Sequence, residues 1–196
     1  ERTLETLKNS PFNKIRFCIF PKHYDYNLYD PITFPYEGKP CSIDGINRDN
    51  FFEFLPSNPE NQWDFTRFNP EHFQNIEKRI NDLKELGIEA DLILLHPYDR
   101  WGFSIMSRED DLRYIRYVVA RFSAYRNVWW SLANEYDICK GKTDEDWEAI
   151  AETIVRHDPY QRLRSIHNCK RIYDYTRPWI THCSLQRTEI YKSAVN

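Results

Sequence analysis

Short, almost unbroken apolar runs alternate with amphipathic helical stretches along this chain, and that alternation restricts the fold more than any other feature. The runs lie at 14–20, 90–96 and 127–133, with two weaker ones at 162–167 and 179–185. Strands apolar at nearly every position are buried on both faces, as in a parallel sheet covered by helices. Between them, Phe73, Ile76, Ile80, Leu83 and Leu86 recur at helical spacing over 69–86. Leu112, Ile115, Val118, Val119 and Phe122 do so over 108–125, and Trp147, Ile150, Ile154 and Val155 over 144–156. Residues 4–7 fit the end of an earlier helix. Helix-start signals agree: Asn69 precedes Pro70, Ser107 lies three before Asp110, and Thr143 precedes an acidic turn, while Gly87 suits a helix end. The pattern is βα repeated about five times, an α/β fold.

Length and charge narrow the function. A chain of 196 residues fits one ordinary domain. With 27 basic against 30 acidic side chains, and a net charge of -3, no basic surface is available to neutralise nucleic-acid phosphates. No apolar run approaches the roughly 18 residues that cross a bilayer. No glycine-rich phosphate loop is present, so neither a nucleotide nor another cofactor is expected. Cys18, Cys41, Cys139, Cys169 and Cys183 are odd in number and show no metal-ribbon spacing. Reduced thiols favour a cytoplasmic home, whereas a signal peptide upstream of Glu1 would mean secretion.

In α/β folds the ligand sits at the carboxyl ends of the parallel strands. Here those ends hold His23, His96, His167 and His182, whereas His72 and His157 fall on helices as surface residues. The segment 21–68 is a long loop without clear periodicity, rich in aromatics, and loops of that length in compact domains usually carry function. Aromatic rings stack on the apolar faces of sugars, which makes Tyr98, Trp101 and Tyr136, with Tyr24 and Tyr26 of the loop, candidate subsite residues. Trp129, Trp130 and Trp147 read as packing residues. The sharpest feature is the strand 130–135, which delivers Asn134 and Glu135 side by side at its end. A carboxylic acid on an apolar rim can hold its proton at neutral pH and donate it, and a neighbouring amide suits a sugar hydroxyl.

The strand ending in Asn134-Glu135 resembles the fourth strand of the clan A retaining glycoside hydrolases, which are (β/α)8 TIM barrels. Arg16, His96 and His167 fall in line with the second, third and fifth strands of the cellulase-like family five. The stretches 130–137 and 20–27 are also similar to apiosidase-like glycosidases. The resemblance implies Glu135 as acid/base, Asn134 on the sugar hydroxyl next to the reacting carbon, His96 and His167 orienting substrate or carboxylates, and Arg16 holding the nucleophile ionised.

It also implies an incomplete barrel, comprising about strands two to six. Retaining hydrolysis needs two carboxylates, and the nucleophile of this clan ends the seventh strand. Nothing here corresponds to it; Glu189, in a helix after the sixth strand, is not assigned that role. The whole of 1–196 thus reads as one partial glycoside hydrolase barrel domain, inactive alone, with a carbohydrate as its ligand. Its cut sheet edges invite self-association. Two alternatives remain open. One is a non-catalytic carbohydrate-binding barrel. The other is a metal-dependent sugar isomerase or hydrolase using His96, Glu135, His167 and His182, against which stands the lack of an HxH or HExxH spacing.

Overall fold

The computed structural model of the chain describes residues 2–55 and 58–187. A short helix α1 (Arg2–Lys8) precedes strand β1 (Lys14–Cys18), and a long excursion then carries β2 (Tyr36–Lys39) and β3 (Gln62–Phe68). There follow α2 (Pro70–Glu85), β4 (Glu89–Leu95), α3 (Arg108–Phe122), β5 (Val128–Ala133), α4 (Asp144–His157) and β6 (Arg164–Ser165). Strands β1, β4, β5 and β6 pair in parallel in that order, and a helix covers each connection.

Alternation along the strands sorts the side chains. Arg16 lies beside Asp91, and Asp91 beside Trp129, on one face of the sheet. Ile15 and Phe17 turn the other way and share a shallow cavity with Leu4, Leu7 and Leu83 of α1 and α2. On that helical side Ala90, Leu92 and Leu94 of β4 and Val128, Trp130 and Leu132 of β5 are buried. They belong to the same core as Phe73 and Ile80 of α2, Ile115 and Phe122 of α3, and Ile150 and Ile154 of α4. This packing supplies the apolar burial that makes a parallel sheet stable.

The helix ends follow their sequence signals. Asn69 accepts from the Glu71 N–H, Ser107 from Asp110, and Thr143 forms a reciprocal capping box with Asp146. Gly87, at φ +72°, lets the Gly87 and Ile88 N–H groups fold back onto the Lys84 and Leu83 carbonyls and close α2.

Three expectations need correction. Segment 21–68 is not irregular throughout: β2 and β3 pair antiparallel, and Phe51–Phe54 form a 3-10 turn. No local pattern marks these strands, because β2 is only four residues long and lies far from its partner in sequence. The run 179–185 forms no strand among the described residues. It meets β6 through a His167–Ser184 bridge, the Thr181 N–H on the Arg164 carbonyl and the Ser165 hydroxyl on the His182 carbonyl. Thr181, Cys183 and Leu185 remain exposed along it, so little apolar burial fixes it as a strand. His72 is not a surface residue either. It is buried at the start of α2, with Nε2 at 2.9 Å from the Ile19 carbonyl, and ties that helix to the end of the first strand segment.

Asn127 joins two layers at the foot of β5. Its buried amide donates to the Ile80 and Ile88 carbonyls, both at 3.1 Å. Asn127→Ala removes both donations and should cost about 1–3 kcal/mol, read as a lower denaturant midpoint at unchanged slope.

Candidate active site

The rim of the sheet is built where β4, β5 and β6 run out together. Beyond β5 the ladder continues for a step: Asn134 N–H donates to the Leu95 carbonyl at 3.0 Å, and His167 N–H to the Ala133 carbonyl at 3.1 Å. The backbone then turns sharply at Glu135, which adopts φ 55° and ψ 56°, and Tyr136 N–H closes the turn onto the His167 carbonyl at 2.9 Å. A residue with a Cβ enters this left-handed region only when its surroundings impose it, and such positions concentrate at functional sites.

Glu135 is buried, and the Tyr98 hydroxyl donates directly to its Oε2. Tyr98 is itself held: Tyr24 packs edge-on with ring centroids 5.3 Å apart, and Lys22 Nζ lies 4.3 Å from the ring centroid. Burial, and then the Glu135 carboxylate, push the Tyr98 pKa well up, so the phenol stays protonated and remains a donor. Asn134 is half-buried, and its amide has no hydrogen-bond partner among the described residues. A carboxyl with a fixed orientation thus stands next to an amide ready for a ligand. His167, two residues past β6, completes this rim with Nδ1 at 3.1 Å from Ser184 Oγ and Nε2 at 3.2 Å from Gln186 Oε1.

Carboxylates that the sequence did not single out brace the surrounding loops. Asp137 accepts from three successive N–H groups, Cys169, Lys170 and Arg171, which holds its pKa below the ordinary aspartate value despite burial. Asp99 accepts from the Trp101 and Ser104 N–H groups, yet burial still lifts its pKa to about 6. Arg100 is fully buried and paired with Asp30, while its own carbonyl accepts from Asn58 N–H and from the Asn61 side chain. These contacts fasten the long excursion to the loop after β4. An Asp beside an aromatic at a strand end was the only sequence signal for them.

Several candidates stand elsewhere. Trp101 is fully buried, with its Nε1 donating to Asp30, and so anchors a loop instead of offering a face to a sugar. Tyr136 is buried against Tyr173 and Trp147 and is likewise closed to a ligand. Arg16 already has a carboxylate partner in Asp91, at 3.3 Å, and donates to Ser131 Oγ at 2.8 Å, one alternation below the strand end. His182 packs on Trp129, which sits on the inner face and not in the helical core. Among the described residues no three His, Cys, Asp or Glu side chains converge as a cation site, so His96, Glu135, His167 and His182 do not form one. Glu189 lies outside the described residues. All five cysteines are unpaired.

His96 is buried, its Nε2 at 3.3 Å from the Phe20 carbonyl, and it joins the ends of the first strand segment and β4. Burial drives its pKa down to about 4 from the ordinary 6.5. Between those values the unfolded chain binds a proton that the folded chain refuses. From about pH 6.5 to pH 4 His96 should therefore withdraw about 3 kcal/mol of stability, opposed by Asp99 and Asp111, whose carboxyls burial raises to about 6 and about 7. Across that range the stability of His96→Gln should lack this loss when compared with the wild type, because His23, His72 and His182, which burial also holds neutral, and the two aspartates act alike in both proteins.

Comparison with known proteins places this geometry. The family described as apiosidase-like, catalytic domain, matches residues 12–193. A crystal structure from Bacteroides vulgatus, of a protein classed by inference as a glycoside hydrolase, superposes with a TM-score of 0.82 at 44% identity. The match covers 94% of this chain and 35% of that one. A family five glycoside hydrolase from Bacteroides vulgatus superposes at 0.59 with 16% identity, covering 91% of this chain and 34% of that one, and supports the fold alone. The chain therefore spans about a third of the length of these structures. A comparison with curated proteins gives no match. No described helix is long and apolar enough to cross a membrane. The parallel βα units are a section of a TIM barrel of the clan A glycoside hydrolase type, and the chain belongs to the apiosidase-like catalytic-domain family.

Proposed function

We propose that this chain contributes the acid/base half of a retaining glycosidase that cleaves O-glycosidic bonds of a plant or microbial oligosaccharide or polysaccharide. The observation that carries the reading is the buried, backbone-strained Glu135 at the end of β5, its carboxyl gripped by Tyr98 and flanked by the Asn134 amide, which has no hydrogen-bond partner among the described residues. In the first step Glu135 gives its proton to the glycosidic oxygen as the bond to the anomeric carbon breaks, and a second carboxylate bonds to that carbon. In the second step Glu135 takes a proton from water, whose oxygen displaces the enzyme carboxylate. Asn134 holds a hydroxyl of the reacting sugar, while His167, with both ring nitrogens engaged by Ser184 and Gln186, braces the rim that orients the substrate. His96 stays neutral and sets the loop positions. Arg16 supplies positive potential inside the barrel that favours an ionised nucleophile.

The nucleophile in this reading belongs to a barrel strand outside the 196 residues, which would leave this length of chain inactive by itself. The family description makes apiose the first glycone to test.

Glu135→Ala in the full-length enzyme should slow natural glycosides by about 10²–10⁴-fold. Aryl glycosides whose leaving groups need no proton should be slowed far less. Equal losses on both classes would remove Glu135 from the acid/base role. A second consequence concerns the 196 residues alone. Strands β1 and β6 are the edges of the parallel sheet among the described residues, and unpaired edges template association. Sedimentation should show mass rising with concentration, and a monomer across the micromolar range would count against an open barrel section.

A further inference from the structure

Two loops meet at the candidate acid/base. The loop after β4, residues 96–107, carries Tyr98 near its start, and the loop after β5, residues 134–143, carries Glu135 near its start. Among the described residues two polar bonds join these loops beyond the strand ends: the Tyr98 hydroxyl on Glu135, and Lys142 Nζ on the Met106 carbonyl at 2.8 Å. Lys142 Nζ also lies 3.0 Å from Asp111 Oδ2 at the start of α3, and the two side chains are 1% and 2% exposed. Beside this pair the backbones themselves touch. A Cβ on Gly141 would stand 2.8 Å from the Ile105 Cα, so the close approach needs a glycine.

We propose that Lys142 is a positioning residue for Glu135, holding the loop that carries the carboxyl against the loop that carries Tyr98. Each loop is stiff between its two attachment points. In the first, Asp99 accepts from the Trp101 and Ser104 N–H groups, and the Ile105 N–H bonds back to the Gly102 carbonyl. In the second, the Ile138 N–H bonds to the Glu135 carbonyl, the Cys139 N–H to the Tyr136 carbonyl and the Lys142 N–H to the Cys139 carbonyl. A displacement at Lys142 therefore reaches Glu135 with little slack. The energetics of the pair agree with a positional role. Asp111 Oδ1 is buried without a partner, so the carboxylate is incompletely bonded in spite of Lys142. Desolvation of two enclosed charges offsets most of their attraction, and such a pair adds little net stability. What it does fix is the separation of the two loops, and with it the geometry of the Tyr98 hydroxyl on Glu135.

The inference deepens the acid/base reading but rests on it for the rate alone, so the test follows the Tyr98–Glu135 contact directly. In the full-length protein labelled with fluorotyrosine, the Tyr98 fluorine resonance is assigned by its loss in Tyr98→Phe, and Glu135→Ala marks its position without the bond. Lys142→Met should move the resonance toward that position. So should Lys142→Met combined with Asp111→Leu, which removes the pair without leaving a charge buried and so keeps the fold. Asn127→Ala, which weakens the fold at the foot of β5, should leave the resonance in place. On natural glycosides Lys142→Met should lower kcat by about 10–100-fold with KM little changed. An unmoved resonance in the folded double variant, or an equal shift in Asn127→Ala, would overturn the proposal. A resonance that moves without a loss of rate, or with no hydrolysis to measure, supports the placement and counts against the acid/base reading alone.

Discussion

The parallel register of β4, β5 and β6 governs everything at the rim. Leu95 pairs with Ala133, the next N–H of β5 still bonds back to Leu95, and the Ala133 carbonyl receives His167. Only after those bonds are made does the backbone turn through the left-handed region at Glu135. Side chains alternate faces with a period of two, so a slip of one residue would send Glu135 toward the helices and Asn134 into its place. The apolar set on the helical side prevents that slip. Ala90, Leu92 and Leu94, with Val128, Trp130 and Leu132, would all have to leave the core together.

The loops depend on a different interaction, buried carboxylates that satisfy backbone N–H groups. Asp137 gathers three of them from the segment after β6, and Asp99 two from the turn after β4. The Arg100–Asp30 pair fastens the long excursion across the top. Arg100 is fully buried while Asp30 is exposed, so desolvation of the guanidinium offsets much of the attraction, but removing Asp30 would strand a buried charge. The effect of the pair here is positional. Together with the Asn58 and Asn61 bonds to the Arg100 carbonyl, it holds the long excursion against the loop that carries Tyr98.

The helices were legible in the sequence nearly to the residue, because apolar spacing and caps such as Asn69, Ser107 and Thr143 are local signals. The strands at 14–20, 90–96 and 127–133 were legible as apolar runs. The hairpin partners β2 and β3 were not, since a strand of four residues acquires its identity from a partner more than twenty residues away. Among site candidates, Glu135 and Asn134 stood out because a strand ended on them. Trp101 and Tyr136 had the same apparent credentials, yet a ring in a strand-end loop serves equally well as an anchor or as a platform. Exposure separates the two, and exposure is a tertiary property. His72 shows the same limit in reverse, a polar residue on a helix that proves to be buried against the first strand.

What the sequence by itself determined was the βα repeat and the residue that ends each strand, because periodicity, caps and β-branched or aromatic runs act over a few neighbours. Only the tertiary structure decided which strand-end groups face one another. The Tyr98–Glu135 bond joins residues thirty-seven apart, Arg16 finds Asp91 on the neighbouring strand, and the long excursion is tied across the rim by an ion pair to the buried Arg100. Contacts of that range are set by how the strands register and how the helices pack, and no short stretch of sequence encodes either one alone.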